Sequence, residues 1–65
     1  MIETIIRLEN GMVMVFDAEE EQIPEYQGKY EEVKGSILRD APPDAVFTHW
    51  SGYSAEPATI CREEW

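Results

Sequence analysis

The chain has 65 residues, and its 14 Asp and Glu residues against 5 Lys and Arg residues give a formal net charge of -9. This length accommodates one domain, because two cores would each have fewer than the roughly 40 residues below which small domains need extra support. The negative charge opposes direct binding to phosphate backbones and anionic lipid, since both require a positive patch. We therefore expect one domain, with neither nucleic acid nor a membrane as a direct partner.

The composition, 43% hydrophobic and 11% aromatic, is typical of a folded chain rather than a disordered one. Cys61 is the single cysteine, so it cannot form an internal disulfide and offers one ligand toward a metal. No apolar run reaches the length of a signal peptide or of a membrane-spanning helix. These features predict a cytoplasmic protein that is neither exported nor membrane-embedded.

Residues 2–17 have the pattern of a β-hairpin. Two runs rich in strand-forming residues, Ile2–Leu8 and Met12–Asp17, flank an Asn-Gly pair. Asn-Gly favours a two-residue type I′ turn, in which both central residues need positive φ. A turn of this length sets the register and places Ile5 opposite Phe16.

A helix is predicted over residues of about 25–40. Its apolar positions recur at spacings of four, three, four and four residues, which is one stripe of an amphipathic helix. The stripe consists of Tyr26, Tyr30, Val33, Ile37 and Ala41. Pro24 suits the first turn, and Pro42 and Pro43 cannot continue the helix beyond it.

Residues 45–62 predict a second hairpin with a longer loop, because two short runs of alternating polarity flank a segment rich in Ser, Gly and Pro. The last three residues, which end at Trp65, are expected to be loosely held. The predicted fold is α+β with the order ββαββ. Its sheet is a small antiparallel or mixed one of four strands, with one helix packed on one face.

One helix covers only one face of such a sheet, yet both faces of the first hairpin are apolar in the predicted register. The face without a helix is expected to be an interface, because exposed apolar patches usually mark binding surfaces. Its predicted residues are Ile5, Met12, Met14 and Phe16. We expect a homo-oligomer or a protein partner there; cover by sheet curvature, by the long loop or by Trp65 is the alternative.

The sequence has no phosphate-binding glycine loop, no paired CxxC and no HExxH or G-x-S-x-G motif. His49 and Cys61 are the plausible chemical groups, and they would be neighbours if the last two strands pair. Two ligands are too few for a structural zinc, which takes four. We therefore predict a non-enzymatic protein with no catalytic residue, no metal site and no cofactor.

An acidic patch is predicted in the first connection, at Glu19, Glu20, Glu21 and Glu25. Its simplest interpretation is a solvated surface that confers solubility. A second hypothesis is an acidic regulator or nucleic-acid mimic, of the kind encoded by mobile elements, that occupies a basic cleft on a nucleic-acid-binding protein. Trp50 and Tyr53 near the second loop predict either a partner anchor or packing across the end of the sheet.

Overall fold

The computed structural model describes residues 1–52 and 56–65, and it confirms an α+β fold. Within these residues the sheet has five strands rather than the predicted four, in the order β3-β2-β1-β4-β5. The elements are β1 (Ile2–Leu8), β2 (Met12–Asp17), a 3-10 turn (Pro24–Tyr26), β3 (Gly28–Lys29), the helix α1 (Tyr30–Asp40), β4 (Val46–Trp50) and β5 (Ala58–Thr59). The sheet is mixed, since β4 runs parallel to β1 while the other pairs are antiparallel.

The first hairpin has the predicted strand boundaries, but its predicted register is wrong by one residue. Ile5 lies opposite Val15 rather than Phe16, and Ile6 lies opposite Met14. The loop therefore has three residues, which is the arrangement of a type I turn followed by a glycine with positive φ. Gly11 has φ 88 and donates its N–H to the Leu8 carbonyl at 3.1 Å.

A pair of glycine substitutions tests this turn. Gly11→Ala should destabilise the protein by about 1 kcal/mol, because a Cβ disfavours the left-handed conformation even where no atom lies within 4 Å. Gly35→Ala in α1 meets equally open space and should stabilise by about 0.5–1 kcal/mol, since alanine favours the helix. Urea denaturation measures both changes, and effects of the same sign would contradict the assigned turn.

A bulge in β1 allows two isoleucines three residues apart to reach the same core. The register of β1 against β2 shifts by one residue between Ile2 and Thr4, so the side chains before the shift point to the opposite side from the one that strict alternation would give. Ile2 and Ile5 are consequently both buried beneath α1. The core also contains Val13, Val15, Val33, Ile37, Ala41, Phe47 and Trp65.

The helix begins at Tyr30, about five residues later than predicted, and ends at Asp40 as predicted. Gly28 and Lys29 are extended instead, because they pair with β2 and form β3. The side chain of Gln27 continues this edge: its Nε2 donates to the carbonyl oxygens of Val15 and Ile23 at 2.9 and 2.8 Å. The outer edge of β2 is thus paired.

Asp40 ties the end of α1 to the 3-10 turn. Arg39 Nε donates to Asp40 Oδ1 at 2.9 Å, and Tyr26 Oη donates to Oδ2 at 2.6 Å. These hydrogen bonds, first from Arg39 and then from Tyr26, favour the charged carboxylate and lower the pKa of Asp40 from 3.8 to about 2.

The lowered pKa gives a signed pH dependence. A carboxyl whose pKa falls on folding stabilises the native state above its unfolded pKa, and this contribution is lost as the pH falls from about 4 toward 2. Wild type should therefore exceed Asp40→Asn in Tm by more at pH 6 than at pH 2. Thermal unfolding followed by circular dichroism measures this difference, and a Tm gap that is constant over the range would contradict the tether.

Trp65 is part of the core rather than loosely held. Its ring contacts those of Tyr30 and Phe47 edge to face, with both centroid distances at 5.1 Å. Its Nε1 donates to the Thr48 carbonyl at 3.1 Å, and its main-chain oxygen accepts a hydrogen bond from Arg7 Nη1 at 2.8 Å. Trp65 therefore covers β4 on the same side of the sheet as α1.

Candidate functional site

The side of the sheet opposite α1 is formed by the alternate side chains of the three long strands. The register aligns Ile6 with both Met14 and Thr48, so these side chains point to one side. We call this surface the open face. It consists of Thr4, Ile6 and Leu8 from β1, Met12, Met14 and Phe16 from β2, and Val46, Thr48 and Trp50 from β4.

The open face carries no charged side chain at these nine positions. In residues 1–52 and 56–65, none of its apolar side chains belongs to the core cluster or packs against it from the periphery. Met12 and Val46 are 39% and 40% exposed, and they lie on the two outer strands of the face. Thr48 is the buried exception, and its hydroxyl donates to the Ile5 carbonyl at 2.8 Å.

The predicted interface therefore needs one correction. Met12, Met14 and Phe16 share the open face, as predicted, but Ile5 lies on the opposite side and is 0% exposed. The cause is the three-residue loop, because a shift of one residue turns one strand over relative to its neighbour. The open face contains Ile6, Leu8 and Val46 instead of Ile5. Their positions follow from the pairing of β1 with β2 and β4.

Concavities lie at both ends of the open face, and both are partly acidic. One, of about 550 Å³, is lined by Thr4 and Phe16 of the face together with Glu3, Asp17, Ala18 and Glu20. The other, of about 270 Å³, is lined by Leu8 and Trp50 of the face together with Glu9, Asn10, Ser51 and Gly52. An uncharged strip is thus bounded at each end by carboxylates.

The acidic patch predicted in the first connection is divided. Asp17 Oδ1 accepts the N–H groups of Glu19 and Glu21 at 2.9 and 3.0 Å, which fixes the turn that follows β2. Glu20 has φ 65 within this turn and lines the concavity beside Phe16. Glu25 lies apart from the turn, in the 3-10 segment Pro24–Tyr26. One member of the patch therefore borders the open face.

Four of the five basic residues lie on the helix side of the sheet or on α1, and the fifth lies beside the open face. The Arg7 guanidinium stacks on the Tyr30 ring with its carbon 3.7 Å from the centroid, and that of Arg62 lies 4.9 Å from the Phe47 centroid, both on the helix side of the sheet. Lys34 and Arg39 belong to α1. The fifth, Lys29, pairs with Met12, so it lies on the open-face side of the sheet, at the β3 edge. Within the described part of the chain no basic residue lines the two acidic concavities, whereas a third concavity, of about 270 Å³, is lined by Met12 of the face together with Arg7 and Lys29.

The two residues with reactive side chains, His49 and Cys61, do not pair across the strands. His49 is exposed and lies opposite Ala58, whereas Cys61 is exposed beyond the end of β5. Among residues 1–52 and 56–65, no three His, Cys, Asp or Glu side chains are grouped to hold a metal ion. The same residues include no helix with the length and apolarity needed to cross a bilayer.

The sequence predicts that Trp50 and Tyr53, near the second loop, anchor a partner or pack across the end of the sheet. Trp50 lies at the end of β4, aligned with Leu8, and it is half-buried. Tyr53 lies outside the described residues.

Comparison with known protein families, with curated proteins and with solved structures finds no match for this chain. The open face is the feature of this chain that most needs an explanation.

Proposed function

We propose that this chain is a small non-enzymatic interaction module that binds another protein surface through the open face. The observation that carries the proposal is that α1 and Trp65 cover one side of the sheet, while the other side presents uncharged side chains outside the core cluster. A contiguous apolar surface of this kind usually marks a protein interface. The two methionines of the open face, Met12 and Met14, suit such a role, because their side chains adapt to the shape of a partner.

The small size of the domain supports the same proposal. A chain of 65 residues obtains only about 3–5 kcal/mol of net stability from its own core. Each large apolar side chain brought from water into an interface contributes about 1.5–3 kcal/mol. Covering even part of the open face would therefore stabilise the domain by an amount comparable to its own folding free energy. The cytoplasm is the compartment we propose, because Cys61 is free and no disulfide framework is present in the sequence.

The test compares charged substitutions on the two sides of the sheet. Met12→Glu and Val46→Glu place a carboxylate on the open face at positions that are already solvent-exposed, so the fold should persist. Ala58→Glu is the matched control, because it adds the same charge at an exposed strand position beside His49. Each variant replaces the chromosomal gene, and the size of the native complex is measured in fresh extract by gel filtration.

We expect the wild-type protein and Ala58→Glu to elute as a complex well above 7.5 kDa, and Met12→Glu and Val46→Glu to elute as the free chain. Circular dichroism of the purified variants confirms that they are folded. A wild-type protein that elutes as a free monomer, or open-face variants that remain in the complex, would contradict the proposal.

A second candidate is the acidic regulator, which the ordered turn after β2 favours. Asp17 holds the N–H groups of Glu19 and Glu21, so the glutamates are presented in a fixed arrangement. A regulator of this type would lose its basic target on neutralisation of Glu19, Glu21 and Glu25 to Gln. The open-face module would retain its partner, so the same gel-filtration experiment separates the two functions.

A further inference from the structure

The charge distribution around the open face indicates what kind of partner it takes. Both ends carry carboxylates: Glu3, Asp17 and Glu20 line one concavity, and Glu9 lines the other, while Lys29 beside Met12 adds one positive charge at the β3 edge. If two copies of the chain pack face to face, each brings these four carboxylates against one lysine, so two net negative surfaces meet in either orientation. Like charges brought together in this way oppose association and select against that partner. A partner with cations at both ends matches the face.

The dimensions and the chemistry of the face fit one helix. Neighbouring strands lie about 4.8 Å apart, so the outer strands of the three-stranded face are about 10 Å apart, which is the diameter of a helix with its side chains. On the opposite side the same sheet carries α1, which has 11 residues. A single extended strand laid on the face would leave its backbone groups unpaired, whereas a helix pairs its own.

We propose that the open face binds an amphipathic helix of a partner protein, about three to four turns long, with an apolar stripe and with Lys or Arg at both ends. This inference depends on the proposed function and names the partner's chemistry. The apolar stripe packs across the three strands of the face, on Met14, Ile6 and Val46. The terminal cations lie in the two acidic concavities, which contain no basic residue of this chain.

Two synthetic peptides are the probes. Both have 14 residues and an identical leucine stripe at helical spacing; one has three lysines at each end and the other has glutamates at the same positions. Calorimetric titration into the full chain should give a Kd at least about tenfold lower for the lysine peptide at low salt, and the preference should shrink as salt is added.

Variants of the chain locate the binding. Val46→Glu should abolish binding, and Ala58→Glu should leave it unchanged. Neutralising Glu3, Glu9 and Glu20 to Gln should remove most of the preference for lysine. Neutralising Glu32, Glu63 and Glu64, which are exposed elsewhere, is the matched control and should preserve the preference.

The outcomes distinguish this inference from the function on which it depends. Equal affinity for the two peptides, no binding of the lysine peptide, or binding that survives Val46→Glu overturns the basic helix as the partner. If the chain instead forms a dimer that Val46→Glu dissociates, the open face remains an interface and its partner is a second copy. If the lysine peptide does not bind and Met12→Glu and Val46→Glu leave the native complex unchanged, both proposals fail.

Discussion

Replacing Trp65 with alanine should leave a large fraction of the protein unfolded at 25 °C. The side chain is 3% exposed and packs between Tyr30 and Phe47, so its removal takes away the cover of β4. Truncation of a buried tryptophan typically destabilises by about 3–5 kcal/mol. That range equals the net stability of roughly 3–5 kcal/mol expected of so small a core. Urea denaturation followed by circular dichroism measures the loss.

Trp65→Phe separates the packing of the ring from its hydrogen bond. Phenylalanine retains an aromatic ring between Tyr30 and Phe47 but lacks the Nε1 donor, so the hydrogen bond to the Thr48 carbonyl is lost. The expected loss is smaller, on the order of 1–2 kcal/mol. A Trp65→Ala variant whose Tm falls by only about 4–8 °C, the shift that 1 kcal/mol produces in a domain of this size, would show that the residue is peripheral.

Adjacent isoleucines in β1 should respond very differently to the same substitution. Ile5 is 0% exposed and lies in the core under α1, so Ile5→Ala should destabilise by about 2–5 kcal/mol. Ile6 points to the open face and is half-buried, so Ile6→Ala should cost the isolated chain about 1 kcal/mol. Both variants are compared by urea denaturation at 25 °C.

The same pair also tests the hairpin register. The two-residue turn favoured by the Asn-Gly signal places Ile6 with Val13 and Val15, and Ile5 with the methionines. A larger loss for Ile6→Ala than for Ile5→Ala would support that register and contradict the three-residue loop observed at Gly11.

Local sequence patterns predicted the elements better than their alignment. The strand boundaries of the first hairpin and the end of the helix follow from residue type and from Pro42, and both are confirmed. The register of the hairpin does not follow from residue type. Asn-Gly suits a two-residue turn and equally a three-residue loop with glycine in the last position. Burial of Val13 and Val15 on the same side of the sheet as Ile5 decides between them, and that is a property of the whole core.

Long-range packing explains the remaining differences. No local signal indicates that β4 runs parallel beside β1, and this pairing brings Val46 into the open face. Gly28 and Lys29 fit the helical stripe in sequence, but pairing with β2 extends them. The sequence also does not determine which face of the sheet Trp65 covers. In the structure it covers the side occupied by α1.

Three of the four residues predicted for the interface share one face of the sheet, and the reason is their spacing. Met12, Met14 and Phe16 alternate along one strand, so they share a face in any register. Ile5 belongs to the neighbouring strand, and its side depends on the loop length. The prediction that a sheet face binds a partner stays a prediction, and the open face now gives it defined residues to test.

Site-specific photo-crosslinking in living cells tests the central claim most directly. A photoreactive amino acid is placed at position 14, in the centre of the open face, and in a second strain at position 58, on the opposite side of the sheet. We predict a discrete crosslinked protein from position 14 and little or none from position 58. Crosslinking from position 14 that is no stronger than from position 58 would contradict the account.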